Sequence, residues 1–104
     1  MYLKVGGVKY KVENKDELRD KTGILVNGLL KTDQCLIQVA TDVAETKRDI
    51  ILVHEVIHAL EEYFDIDGGE HIVTKMAHGV FAFIVDNPEF IQDIIKHDKE
   101  TSKN

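Results

Sequence analysis

Tryptophan is absent from these 104 residues, and proline and cysteine occur once each, as Pro88 and Cys35. A single cysteine excludes an internal disulfide framework, and a reducing, cytoplasmic compartment is the natural expectation. Basic charge is also short: 13 Lys and Arg stand against 19 Asp and Glu, a formal net charge of −6. An acidic surface repels phosphate backbones, which argues against a nucleic-acid partner. No apolar run approaches the ~18 residues that a membrane span needs, so no membrane partner is expected. The opening Met1-Tyr-Leu-Lys-Val-Gly-Gly has no signal-peptide h-region. Internal repeats and low-complexity stretches are missing too. What remains is ordinary globular composition, 43% hydrophobic and 31% charged. The length fits one domain over residues 1–104.

Residues 1–40 read as strand and turn. Leu3 and Val5, then Val8, Tyr10 and Val12, alternate with lysines around Gly6-Gly7. A glycine pair between two period-two runs predicts a hairpin, and the lysines suit an exposed face or a guarded edge. Asn14 to Asp20 is polar and suits a short helical turn. Ile24 to Lys31 and Cys35 to Ala40 read as further strands, separated by a turn at Thr32-Asp33-Gln34. Such short connections predict a mostly antiparallel sheet of three to four strands.

The period changes at residue 41. Asp42, with Glu45 three positions on, reads as a helix N-cap. From Ile50 to Phe64 the chain is apolar on nearly every side. That predicts a central helix, covered by the sheet on one side and by other helices elsewhere. Asp65-Ile-Asp-Gly-Gly ends it, with glycine as the expected left-handed residue. Glycines at its fourth and fifth positions make this segment a turn rather than the start of a calcium loop. A second helix runs from Glu70 to Val85, and Pro88 opens a third that reaches about His97. Residues 99–104 read as a frayed tail. The expected fold is α+β, with a sheet in residues 1–40 followed by three helices in residues 42–98. Phe81, Phe83 and Phe90 fit core packing, Cys35 a small buried hydrophobe, and His97 a solvated cation near a helix C-terminus.

Inside that apolar helix, residues 54 to 58 read His-Glu-Val-Ile-His. Positions i and i+4 lie on one helical face, so His54 and His58 can present imidazole nitrogens to one point. Zinc accepts such nitrogens at about 2.0–2.1 Å. Glu55 is rotated away from that point, yet close enough to act on a water in the open zinc position. The metal lowers that water's pKa, and Glu55 takes its proton and passes it to a leaving amine. With five His and nine Glu in the chain, the H-E-x-x-H pattern arises by chance with a probability of about 2%. Three polar side chains in an apolar helix also need partners, because burying them unpaired is expensive. The bland alternative is that they satisfy one another in the core.

The third ligand distinguishes subtypes. The extended motif H-E-x-x-H-x-x-G-x-x-H fails here, because Glu61 and Phe64 occupy the glycine and third-histidine positions. A carboxylate from the following helix is the other route. Glu70 shares a face with Val73, Ala77 and Phe81, which points it inward. His71 and His78 share theirs with Lys75, which points them to solvent. Periodicity favours Glu70 over His71 or His78 as the third ligand.

In this order of elements and in these residues, the chain resembles the minimal gluzincin-type zincins of bacteria and their phages. These are relatives of the ImmA/IrrE-like and SprT-like metallopeptidase groups. The resemblance spans most of the chain in organisation, while only residues 54–58 and Glu70 are site-specific. It implies a zinc metallopeptidase with His54, His58 and Glu70 as ligands, Glu55 as general base, and a peptide or protein as substrate. It further implies that the strand before the motif helix, Cys35 to Ala40, is an edge that binds extended substrate. An oxyanion-steadying residue is not identifiable; Tyr63 and His78 are the candidates, and each reads better as structural. The competing functional class is a zinc-binding structural or interaction protein that turns nothing over. Small size favours that class, while a glutamate beside the first histidine, which a structural site has no need of, favours catalysis.

Overall fold

Gly6 and Gly7 take φ of +57° and +84°, the two left-handed residues of a hairpin turn whose twist matches the flanking strands. They fold β1 (Tyr2–Val5) back onto β2 (Val8–Lys15), with Val5 opposite Val8. The computed structural model describes residues 1–102. Among them β3 (Gly28–Lys31) and β4 (Leu36–Ala40) form a second hairpin, closed by a 3₁₀ turn at Thr32–Gln34 and a left-handed Cys35. The sheet order is β1-β2-β4-β3.

The sheet is mixed, not mostly antiparallel as the short connections predict. β2 and β4 run parallel, from Lys11 beside Leu36 to Lys15 beside Ala40. The reason lies in residues 16–27, which are neither a helical turn nor the first half of a strand. They form a loop that leaves the sheet after Lys15 and re-enters it at the far edge. Asp20 organises the loop: its carboxylate accepts from the Thr22 and Ile24 backbone amides at 2.8 and 3.1 Å and from the Thr22 hydroxyl at 2.6 Å. These bonds hold the Asp20 carboxyl below its ordinary pKa. Leu18, 1% exposed, pins the loop to the body.

One sheet face carries Val5, Tyr10, Val12, Ile37 and Val39, which pack with Leu52 and Ala59 of α1 (Glu45–Tyr63) into the core. Lys4, Lys9 and Lys11 alternate with these residues and remain exposed. α1 starts later than Asp42 suggests, with Ala44 as N-cap and no side-chain cap. Its end is a Schellman motif in which Asp65, at φ +54°, takes the left-handed place expected of glycine. The Ile66 amide donates to the Glu61 carbonyl at 2.7 Å and the Asp65 amide to that of Glu62 at 3.3 Å.

α2 (Gly69–Asp86) packs on α1 and buries Val73 and Ala77. α3 (Pro88–Ser102) follows after Asn87 alone, with Pro88 in its first turn. Lys99–Ser102 are therefore helical rather than frayed, and 103–104 lie outside the described residues. Two expectations about covering fail. α1 is not enclosed on all sides, since Val53, Val56, Ile57 and Leu60 are only half-buried. Phe83 and Phe90, 41% and 53% exposed, meet each other edge to face instead of joining the core. Both failures have one cause: α3 extends beyond the body and leaves the outer side of α1 and α2 open. No described helix is long and apolar enough to cross a membrane.

Candidate metal centre

His54 and His58 stand one turn apart on α1, with ring centroids 4.9 Å apart and planes at 66°. Glu70, in the first turn of α2, reaches both. One carboxylate oxygen lies 2.5 Å from His54 Nε2 and the other 3.0 Å from His58 Nε2. One nitrogen or oxygen from each residue lies within 4.8 Å of the others. Two imidazole nitrogens and a carboxylate around one point form a donor set that suits zinc. His71 and His78 stand outside this group and are exposed. Glu70 itself is 69% exposed at its side chain, so the face it shares with Val73 and Ala77 becomes core only one turn further on.

Glu61, which sequence reading used only to exclude the extended motif, ties the site together. One of its oxygens is 2.9 Å from His58 Nδ1, and the other accepts from the Gly68 amide at 2.8 Å. The Gly68 bond lowers its pKa most, with His58 adding to the effect. An ionised carboxylate on Nδ1 holds the ring with its proton there and turns Nε2 toward Glu70, where its lone pair would be available to a metal. The signal was available: His58 and Glu61 are i,i+3, a spacing at which helical side chains meet.

Glu55 points to the other side, toward the sheet, and is only 6% exposed. It fits because residue 28 is glycine. A Cβ there would lie 2.7 Å from Ile51 Cγ2 and 3.0 Å from Glu55 Oε2. An isolated glycine in a strand pattern is the sequence mark of such an approach. Burial pushes the Glu55 carboxyl up to about 7 in the metal-free chain; the Glu70 charge raises it further and His58 opposes the rise.

A cleft of about 980 Å³ joins these groups, running between β3 and the His54–Glu62 stretch of α1. The strand bordering it is not the one expected. β4 lies between β2 and β3 inside the sheet, and β3 is the edge. Cys35 to Ala40 therefore has no free edge to offer, because the loop of residues 16–27 carries the chain past β4's place before it returns. Tyr63 is remote from the cleft; its ring covers Gly6, where a Cβ would sit 2.8 Å from the ring carbons. His78 borders a separate small pocket with Asn27, Ile50 and His54. Comparison with protein-family models, with curated proteins and with solved structures finds no match.

Proposed function

We propose that this chain is a zinc-dependent metallopeptidase, with His54, His58 and Glu70 as ligands and Glu55 as general base. The observation that carries the proposal is the convergence of His54, His58 and Glu70 within 4.8 Å, beside a buried carboxyl on the same cleft. Three protein donors leave a position open, as catalytic zinc sites do, whereas structural sites close with four. Zinc bound there would act as a Lewis acid and make a water nucleophilic near neutral pH. Glu55 accepts the proton and returns it to the departing amine; an environment that holds its pKa up suits a group that must do both. Glu61 orients His58. The free side of β3, at the sheet edge, pairs with an extended peptide and lays it along the cleft.

The test is zinc content and hydrolysis of an unstructured protein, measured side by side on six variants. Glu55→Gln keeps zinc and loses hydrolysis by several orders of magnitude. Glu70→Gln weakens the site first, and its activity falls with the metal. His54→Ala and His58→Ala lose zinc, while His71→Ala and His78→Ala keep it. Zinc lost from either of the last two but kept in Glu70→Gln would sink the ligand assignment. Full occupancy with no hydrolysis of any peptide library would move the chain to the class of non-catalytic zinc proteins.

A further inference from the structure

α3 and the outer groove between α1 and α2 are the least covered parts of this fold. The groove, of about 690 Å³, is walled by Val53, Ile57 and Leu60 on one side and by Ile72, Met76 and Val80 on the other. Ile84 extends the α2 row at the same spacing of four, which makes it one continuous stripe. Its four members are 54%, 51%, 37% and 43% exposed. α3 packs appreciably on α2 alone, and every side chain described on it is exposed except the half-buried Ile91. Phe90, Ile94 and Ile95 form its apolar stripe, each about half exposed. The molecule accordingly measures 50 × 28 × 27 Å, with a radius of gyration of 15.0 Å against about 13 Å for a globular chain of this length.

We infer that α3 of a second copy of this chain fills the groove, and that two chains exchange α3 reciprocally about a two-fold axis. Each chain carries one groove and one apolar helix, so a single exchange satisfies both and closes the assembly. The apolar stripe of α3, from Phe90 to Ile95, spans ~8 Å and fits within the ~18 Å stripe from Ile72 to Ile84. α3 does not reach its own groove, because Asn87 alone joins it to α2 and an antiparallel helix pair needs a link of roughly two to five residues. The area is sufficient. With Phe83, eight side chains about half exposed present roughly 600–700 Å² per chain, the two phenylalanines giving the most each. Taken over groove and helix together, that falls at the low end of one side of a standard protein interface. A net charge of −6 disfavours an anionic lipid surface as the occupant. His54, Glu55, His58 and Glu70 do not border the groove, so the exchange leaves the cleft open.

Sedimentation velocity on the full chain from 1 to 200 μM should give twice the 11.8 kDa chain mass. Ile94→Asp in α3 and Met76→Asp in the groove should each raise the dissociation constant at least 100-fold with unchanged far-UV circular dichroism, since both side chains are half solvated in the single chain. Zero-length carbodiimide cross-linking of mixed ¹⁴N and ¹⁵N chains tests the placement without mutation. It should join Lys96 or Lys99 of one chain to Asp49, on the groove wall, of the other. A monomer at 200 μM overturns the inference. So does a dimer indifferent to both substitutions, or one with no inter-chain cross-links from α3. A monomer that co-sediments with phosphatidylcholine vesicles overturns it too and assigns the face to lipid.

Discussion

Replacing Glu55 by glutamine should stabilise the metal-free protein, and by an amount that grows with pH. The carboxyl is 6% exposed and faces Gly28 and Ile51, so its ionised form is poorly solvated. Its pKa rises from 4.5 to about 7. At 1.36 kcal/mol per unit, ionisation costs the folded state roughly 3 kcal/mol. The sign follows from linkage. The folded chain holds this proton more tightly than the unfolded chain does. The stabilising effect of protonation is therefore complete below pH 4.5, declines through the window from 4.5 to 7, and is gone above it. Glutamine keeps the shape and carries no charge at any pH. Urea unfolding followed by circular dichroism, on both proteins in excess chelator, should show the glutamine variant's advantage growing by about 3 kcal/mol between pH 4.5 and 8. In melting temperature that is on the order of 15 °C. An advantage constant across that pH range would refute the reasoning, because Glu55 would then be as well solvated folded as unfolded.

Three further outcomes follow from the same geometry. Gly28→Ala places a Cβ 2.7 Å from Ile51 Cγ2 and 3.0 Å from Glu55 Oε2; overpacking of this kind costs about 1–3 kcal/mol. Hydrolysis should fall at least tenfold with zinc content unchanged, and full activity would show that Glu55 can move freely. Glu61→Gln removes the charge on His58 Nδ1 and should weaken zinc binding by about 10–100-fold, read by competition with a chromophoric chelator; an unchanged affinity would leave Glu61 with a purely structural part. Complete chelation should lower the melting temperature of the parent, because ligands brought together only in the fold add their binding energy to folding. A calorimetric scan that does not shift would argue against a metal joining α1 to α2.

The parts legible in sequence were those governed by local rules. The Gly6-Gly7 turn, the extent of α2, the Pro88 start of α3 and the shared face of His54 and His58 each depend on neighbours within a few positions. Periodicity also singled out Glu70, which the fold brings to the two histidines. The errors were of longer range. Nothing near Lys15 or Leu36 signals that their strands lie parallel; the loop between them decides it, and the position of the sheet edge follows. The left-handed Asp65 escaped notice because two glycines stand three and four residues later, where a left-handed residue is more usual. Phe83 and Phe90 lie outside the core because helical spacing shows which residues share a face, not whether anything covers it. Glu61 and Gly28 carry local signals as well, the i,i+3 spacing of Glu61 from His58 and the isolation of Gly28 in a strand pattern.

The parallel pair at the middle of the sheet also divides the order of assembly. β1–β2 and β3–β4 are each closed by a short turn, so their loop entropy is small. Joining the two hairpins brings Lys11 to Leu36, and contacts so far apart in sequence slow folding. The union of the hairpins is the late and costly event, and until it happens β3 has no place against α1. A substitution such as Ile37→Val, in the strand that makes the union, should therefore slow refolding as well as speed unfolding, whereas Val8→Ala in the first hairpin should act chiefly on one rate. Stopped-flow chevrons with equal φ values at the two positions would show the sheet forming in a single step.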